Sequence, residues 1–284
     1  MKISTEIHSI ARIVGEEKAI EYVAKAGFDA WDFSMFSMVN YDWATKTFSN
    51  SDHPLGGDNY LAFARKLRKI GEDNGIHCNQ SHAPFPSNTP WLYPYLKRAI
   101  ECTAEAGGKI CIIHPDNDKT AEENAEMFSE LLPFAKDCGV KIATENMYNW
   151  DVENNHSIFA ACATPKSFLE HLEVINDDYL VACLDVGHAE MKGSDTTAIE
   201  MIKALDNKLQ ALHLSDNDKL HDSHQIPFSM DLNFEEIVKV LKEINYKGYF
   251  TLEAGNYLNN HTEENAFDGV KELAESAKRL ADMF

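Results

Sequence analysis

The sequence predicts a single α/β domain over residues 1–284, with eight strand–helix units closed into a (β/α)8 barrel. Short apolar runs alternate with segments of helical periodicity, and 284 residues over eight units gives about 35 residues each, enough for a strand, a loop and a crossover helix. No stretch rich in proline, glycine or serine divides the chain. An open doubly wound sheet is the structural alternative, but no glycine-rich phosphate-binding turn follows the first strand.

The predicted strands are short apolar runs bounded by polar residues or glycine. They are Ile3–His8, Ala30–Phe33, Ile76–His82, Lys109–His114, Val140–Glu145, Val181–Asp185, Leu209–Leu214 and Gly248–Glu253. Because a helical segment separates each strand from the next, we expect the sheet to be parallel.

The predicted helices have apolar residues every three to four positions and suitable residues at their ends. They cover Gly15–Ala26, Asn59–Asn74, Pro90–Ala106, Ala121–Cys138, Pro165–Ile175, Asp195–Leu205, Asn233–Ile244 and Thr262–Met283. Thr120 and Thr164 are placed as N-caps of two of these helices. Gly139 follows the helix that Thr120 caps, where a left-handed residue ends it at low cost.

The chain is acidic, with 46 Asp and Glu against 26 Lys and Arg and a formal net charge of −20. This charge repels polyphosphate backbones and argues against a nucleic-acid partner. No apolar run reaches the roughly 18 residues of a membrane span, and the N-terminus lacks the layout of a signal peptide. The six cysteines contain no C-x-x-C pair, so we expect reduced core cysteines and a cytoplasmic protein.

Metal-capable side chains end six of the eight predicted strands. They are His82, His114, Glu145, Asp185, His213 and Glu253, with His8 and Asp32 at or near the ends of the first two strands. The carboxyl ends of all strands in a parallel barrel meet on one face, where active sites are built. A single histidine there is usually a structural, hydrogen-bonded residue, but six such side chains together predict a metal-binding pocket.

Two short motifs add further candidate ligands. Asp185 and His188 stand three residues apart just past a buried strand, and Asp222 and His224 form a D-x-H pair on a later loop. A solvent-exposed polar turn is the alternative interpretation of the loop histidines, His221 in particular.

The residue types indicate the chemistry. Glu145, Asp185, His213 and Glu253 offer a mixed oxygen and nitrogen shell, suited to one divalent ion such as Mn, Mg, Co or Zn. Such an ion can polarise a carbonyl oxygen or lower the pKa of a bound water. Glu145 and Glu253 would flank a ligand on that ion from opposite sides. This arrangement allows a proton to be removed on one face and delivered on the other.

The residues at these strand ends resemble those of the xylose-isomerase-like TIM barrel superfamily. The resemblance extends over nearly the whole chain. The resemblance is carried by Glu145-Asn146, by CLDVGH at 183–188, by HLSD at 213–216, by Asp222-x-His224 and by TLE at 251–253. The superfamily includes sugar-phosphate isomerase/epimerases, ketose 3-epimerases, hydroxypyruvate isomerases, inosose dehydratases and zinc-dependent apurinic endonucleases. It implies a TIM barrel with a metal site, and does not fix the substrate.

The resemblance also implies residue roles. Glu145, Asp185, His213 and Glu253 would be the metal ligands, with Glu145 and Glu253 as the catalytic acid–base pair. Epimerases of this kind usually carry an arginine six residues after the metal-binding histidine, where this chain has Lys219. The implied substrate-binding residues are His82, His114, His188, Lys219, Asp222 and His224.

The endonuclease branch provides an alternative, because those enzymes hold three zinc ions with nine ligands. All nine positions are chemically filled here, by His82, His114, Glu145, Asp185, His188, His213, Asp222, His224 and Glu253. A multinuclear zinc site is therefore the alternative cofactor. Against it stand the glycine-free stretches Asn146–Trp150 and Ile226–Met230, where the endonucleases carry glycines, and the acidic charge.

We therefore expect a divalent-metal-dependent isomerase or epimerase of a sugar, sugar phosphate or keto-sugar, working by glutamate-mediated proton transfer through a metal-bound enediolate. The alternatives are an inosose-dehydratase-type lyase, a zinc-dependent apurinic endonuclease-like phosphodiesterase, and a non-catalytic sugar- or metal-binding barrel. The expected partner is a small-molecule sugar, and the resemblance leaves a homodimer open. Six aromatic residues are candidate pocket walls: Trp31, Phe33, Phe36, Phe85, Tyr148 and Trp150.

Overall fold

The computed structural model describes residues 1–284 and contains twelve strands. In chain order they are β1 (Ile3–Glu6), β2 (Ala30–Ser34), β3 (Val39–Asp42), β4 (Thr47–Asn50), β5 (His77–His82), β6 (Ile110–Ile112), β7 (Lys141–Glu145), β8 (Asn149–Asp151), β9 (His156–Ile158), β10 (Leu180–Asp185), β11 (Leu209–His213) and β12 (Phe250–Leu252). Eight of them form one parallel sheet in the order β11-β10-β7-β6-β5-β2-β1-β12. The predicted α/β barrel and all eight predicted barrel strands are confirmed.

Ten α-helices accompany the strands. They are α1 (His8–Val14), α2 (Glu16–Ala26), α3 (Tyr60–Asp73), α4 (Tyr93–Glu105), α5 (Ala121–Cys138), α6 (Pro165–Glu173), α7 (Val186–Glu190), α8 (Ala198–Leu205), α9 (Phe234–Glu243) and α10 (Ala266–Met283). Thr120 caps α5 in a reciprocal capping box with Glu123, and Gly139 ends that helix in the left-handed conformation. None of the helices combines the length and the apolar character that a membrane span requires.

The two edges of the sheet meet just beyond the end of β11, at the last residue of β12. Leu214 and Leu252 form an isolated parallel bridge there, and the backbone N–H of Leu214 donates to the carbonyl of Thr251 at 2.9 Å. This contact nearly closes the barrel, so the carboxyl ends of all eight strands surround one central space.

Strand periodicity places the candidate site residues inside the barrel. A small buried cluster comprises Ile112, Ala143, Val181, Cys183 and Ala211. Because side chains alternate across a strand, Glu145, Asp185 and His213 lie on the same faces as Ala143, Cys183 and Ala211. The apolar cluster therefore forms the layer directly beneath the polar residues at the strand ends.

The main core lies between the barrel and its helices, in one cluster of 64 buried residues. Trp31 and Phe33 belong to it and are fully buried, so their predicted role as pocket walls was wrong. Five of the six cysteines are buried, Cys138 is partly exposed, and all six are free thiols.

The connections after two barrel strands contain hairpins that the sequence analysis missed. β3 and β4 pair antiparallel after β2, and β8 and β9 pair antiparallel after β7. The first strand is also shorter than predicted. It ends at Glu6 because Ile7 already has a helical backbone (φ −105°, ψ −11°), so His8 begins α1 instead of ending β1.

Candidate metal centre and active site

A cavity of about 580 Å³ opens at the carboxyl end of the barrel. Its floor is formed by side chains that follow five different strands: His82, His114, Glu145, Asp222, His224 and Glu253, with His188 beside them. Such pockets are the usual ligand sites of α/β barrels. Residues from the ends of different strands therefore meet on one face of the barrel, as predicted.

Four of the predicted donors form a compact group behind the cavity floor. One ligand atom each from Glu145, Asp185, His213 and Glu253 lie within 4.8 Å of one another. Nδ1 of His213 is 2.9 Å from Oε1 of Glu145 and 3.2 Å from Oε2 of Glu253. Asp185 and His213 are fully buried. The group thus concentrates three carboxylates in a buried place, where a cation would compensate their negative charge.

A buried carboxylate fixes the orientation of the histidine in this group. Nε2–H of His213 donates to Oδ2 of Asp32 at 3.4 Å, and Nε2 of Gln80 donates to the same oxygen at 2.9 Å. The remaining nitrogen, Nδ1, points at Glu145 and Glu253. Asp32 therefore stabilises the tautomer whose Nδ1 lone pair is free for a metal, a common arrangement around metal-binding histidines.

Asp185 is positioned by the end of its strand and the start of α7. Its backbone N–H donates to Oδ1 of Asn146 at 2.8 Å, and its own Oδ1 caps α7 by accepting from the N–H of His188 at 2.9 Å. Oδ2 of Asp185 is buried and has no hydrogen-bond partner. A buried carboxylate oxygen without a partner is costly, and a cation in the four-donor group would satisfy it.

Two further donor groups adjoin the first. Nε2 of His82 lies 2.9 Å from Nε2 of His114, which lies 3.1 Å from Oε2 of Glu145. On the other side, Oδ2 of Asp222 is 2.9 Å from Nε2 of His224 and 3.4 Å from Nε2 of His188. Each trio has its ligand atoms within 4.8 Å. All nine residues of the endonuclease-type pattern thus lie together.

The two glutamates differ in protonation. Burial raises the pKa of Glu253 to about 7, and the neighbouring charge of Glu145 adds to this, while His213 and His224 oppose it. Burial also acts on Glu145, but the charge of His213 and hydrogen bonds from His114, His213 and His82 hold its pKa well below the usual range. Paired carboxylates with pKa values pushed apart are typical of acid–base pairs.

The histidines of the second trio are strongly basic in this environment. Burial lowers the pKa of His188, but Asp185 and Asp222 outweigh it and raise the value to about 10. Asp222 likewise raises the pKa of His224 well above its ordinary value against the effect of burial. In contrast, burial lowers the pKa of His114 to about 4, despite its hydrogen bond with Glu145.

Aromatic residues form the walls of the cavity. Phe36, Phe85, Tyr148 and Trp150 line it, as predicted, together with Tyr41 and Trp43 from the β3–β4 hairpin, which were missed. Glu6 was also missed: it lines the cavity as a largely buried carboxylate that accepts hydrogen bonds from the backbone and hydroxyl of Ser9. Its place at the end of β1 was the available signal, but the predicted strand ran on to His8.

A family profile described as "Xylose isomerase-like TIM barrel" matches residues 20–282. The chain belongs to this family. This confirms the resemblance inferred from the strand-end motifs, and it is consistent with the observed parallel barrel.

Two known proteins similar in sequence to this chain match it at 25% identity. An uncharacterized protein of Methanocaldococcus jannaschii is 25% identical over 256 residues, 84% of this chain and 78% of its own length. An inosose dehydratase of Clostridium perfringens is 25% identical over 155 residues, which is 49% of this chain and 48% of the dehydratase. The match thus spans about half of that relative.

Solved structures show the same fold at low sequence identity. A D-tagatose 3-epimerase-like protein superposes with a TM-score of 0.71 at 22% identity, covering 99% of both chains. The Escherichia coli 3-keto-D-glucoside 4-epimerase superposes with a TM-score of 0.68 at 15% identity, covering 96% of this chain and 98% of that chain.

One of the predicted site residues of the present chain, Lys219, does not reach the cavity. Lys219 is half-exposed and its Nζ lies 3.6 Å from Oε2 of Glu190, and it does not line the cavity. The structure gives no support to its implied role in substrate binding. His221 lies outside the three donor groups, stacked on Trp150 with ring centroids 5.7 Å apart and paired with Asp218.

Proposed function

We propose that this protein is a divalent-metal-dependent isomerase or epimerase of a keto-sugar. The observation that carries the proposal is the four-donor group, with its two glutamates at the floor of an aromatic-walled cavity. The fold shared with a tagatose 3-epimerase-like protein and a keto-glucoside epimerase supports it.

The donor set fits a hard or borderline divalent cation, because it supplies carboxylate oxygens and one imidazole nitrogen and excludes soft thiolate-selective metals. Glu145, Asp185, His213 and Glu253 would hold the ion, and the unpartnered Oδ2 of Asp185 is the atom that most needs it. When bound, the ion would polarise the substrate carbonyl and stabilise negative charge on its oxygen.

The proton chemistry falls to the two glutamates. Glu145 is ionised at neutral pH and can accept the proton on the carbon next to the carbonyl, which leaves an enediolate. Glu253, whose pKa burial raises to about 7 in the metal-free protein, would return a proton. Delivery to the opposite face of the same carbon gives an epimer, and delivery to the neighbouring carbon gives an aldose–ketose isomer. A positioned acid or base of this kind typically contributes about 10²–10⁴-fold.

Hydrogen exchange tests this proposal without knowledge of the natural substrate. Mn²⁺-loaded protein is incubated in D₂O with a panel of ketoses and keto-glycosides, and the sugars are followed by NMR and mass spectrometry. We expect deuterium at a carbon next to the carbonyl in at least one sugar, with none after chelator treatment. A mass loss of one water would instead indicate the dehydratase alternative.

A second candidate function is favoured by one observation, the convergence of all nine donors into three adjoining groups. Three zinc ions held there would suit a phosphodiesterase acting on abasic DNA. Its test is metal content together with cleavage of a duplex that contains one abasic site. Two or three tightly held zinc ions with chelator-sensitive cleavage would replace the isomerase proposal, and about one exchangeable ion with an intact duplex would remove the phosphodiesterase.

A further inference from the structure

The cavity extends well beyond the metal donors. Pockets of about 580 Å³ accept drug-sized ligands, which are larger than one hexose ring. The β3–β4 and β8–β9 hairpins bound its outer half, and each contributes a tryptophan to the lining, Trp43 and Trp150. The proposed reaction uses only the floor, so the outer half has no assigned ligand.

Trp43 is exposed in an unusual way for so large an apolar side chain. Two-thirds of its surface (66%) is open to solvent, although it lines the cavity. Its ring lies 4.8 Å from that of Tyr41, nearly perpendicular, and 6.2 Å from that of Phe85. Phe85 in turn lies 5.0 Å from the ring of His114. A row of aromatic rings therefore leads from the donor groups to the rim.

The turn that carries Trp43 is held in place by its own contacts. Oδ1 of Asp42 accepts hydrogen bonds from the backbone N–H groups of Ala44 and Thr45 at 2.8 and 3.2 Å. Near the turn, Phe48 of β4 stacks on Trp91 with ring centroids 5.2 Å apart. The backbone that carries Trp43 is thus held in place, which lowers the cost of ordering this segment around a ligand.

The polar groups of the outer cavity suit a neutral ligand. Four amide side chains line it: Asn88, Asn117, Asn149 and Asn256. It contains two cations, Arg12 and Lys46, and equally many acidic residues, Asp116 and Asp118. The Arg12 guanidinium already donates to Asn259 at 2.7 Å. There is no cluster of cations for a phosphate. Amides and aromatic faces together are suited to sugar hydroxyls and to the C–H faces of sugar rings.

We propose that the outer cavity is a binding subsite for a second sugar ring, stacked on Trp43. The preferred substrate is then an unphosphorylated disaccharide or other glycoside whose keto-sugar ring lies over Glu145 and Glu253. This inference rests on the proposed isomerase or epimerase function. It further specifies that the substrate has more than one sugar ring and no phosphate group.

Binding of matched sugars tests the subsite. Mn²⁺-loaded protein is titrated by calorimetry with D-fructose and with glucosyl-fructose disaccharides of several linkages. We expect at least one disaccharide to bind about tenfold more tightly than fructose, the size of one aromatic stacking contact. In Trp43→Ala this gain should fall to within about twofold, and Trp43→Phe should restore part of it. Phe159→Ala is the control, because Phe159 is 62% exposed and lies outside the cavity.

The outcomes separate the subsite from the proposed reaction. Disaccharide binding that depends on Trp43 without deuterium exchange would support the subsite and contradict the isomerase. Exchange into fructose with equal affinities for both sugars, unchanged in Trp43→Ala, would overturn the subsite alone. Binding of an abasic duplex that Trp43→Ala abolishes, or a dimer that this substitution dissociates, would also overturn it, since Trp43 would then serve another partner.

Discussion

Oδ2 of Asp32 lies 3.4 Å from Nε2 of His213, and both side chains are fully buried. This contact joins the second barrel strand to the seventh across the barrel interior. It decides which nitrogen of His213 faces Glu145 and Glu253, because the carboxylate can only accept a hydrogen bond. Asp32 is therefore a positioning residue, which acts on the candidate metal centre through His213.

Asp32→Asn should weaken metal binding about 10–100-fold, the usual effect of losing such a supporting contact. The amide can donate a hydrogen bond, so it permits the His213 tautomer that carries its proton on Nδ1, towards the metal. Calorimetric titration with Mn²⁺ measures the change, and Asp73→Asn on the surface of α3 is the control. An unchanged affinity for Mn²⁺ would show that Asp32 does not orient His213.

Glu253→Gln should lower the rate at which the epimer or isomer forms by at least about 10²-fold, while one metal ion remains bound. The amide keeps an oxygen ligand but cannot exchange a proton. Glu263→Gln, an exposed position paired with Lys18, is the matched control. Product formation at the wild-type rate in Glu253→Gln would remove Glu253 from the reaction.

Metal affinity should rise with pH. Burial lowers the pKa of His213, but Glu253, Cys183 and Glu145 outweigh it and raise the value well above 6.5. In the metal-free protein both ring nitrogens of His213 therefore carry a proton at neutral pH. A metal must displace the proton on Nδ1, so its affinity should increase about tenfold per pH unit for each proton released. Below pH 7 the proton on Glu253 adds to the effect. Titrations between about pH 6 and 8 check this, and a flat profile would contradict it.

His224→Asn separates the one-ion and three-ion accounts. With a single ion in the four-donor group, the substitution should leave metal content at about one per chain and mainly raise the KM for the sugar. His221→Asn, outside the donor groups, is the control. If His224→Asn lost a zinc ion that the wild type holds, His188, Asp222 and His224 would form a metal site of their own.

The positions of the strands and their ends were predictable from the sequence, because barrel strands are buried on both faces and read as uniform apolar runs. Glu145, Asp185 and His213 followed from this alone. The contact of Asp32 with His213 did not, since it depends on the closure of the barrel between residues 181 positions apart.

The hairpins were missed for a different reason. Tyr41 and Trp43 sit in a loop where the sequence has no core periodicity, and only the fold shows that the loop turns back over the cavity. Lys219 stands where the resemblance expects an arginine, but its backbone adopts a left-handed conformation (φ 58°), and its side chain pairs with Glu190. Local backbone geometry of this kind is not visible in residue spacing.

The most direct test of the account is anomalous diffraction at the manganese edge from crystals grown with Mn²⁺. We expect one strong peak among Glu145, Asp185, Glu253 and Nδ1 of His213, with bonds of about 2.0–2.3 Å to each. No peak at this position, or a peak confined to His188, Asp222 and His224, would contradict the proposed metal centre and the reaction built on it.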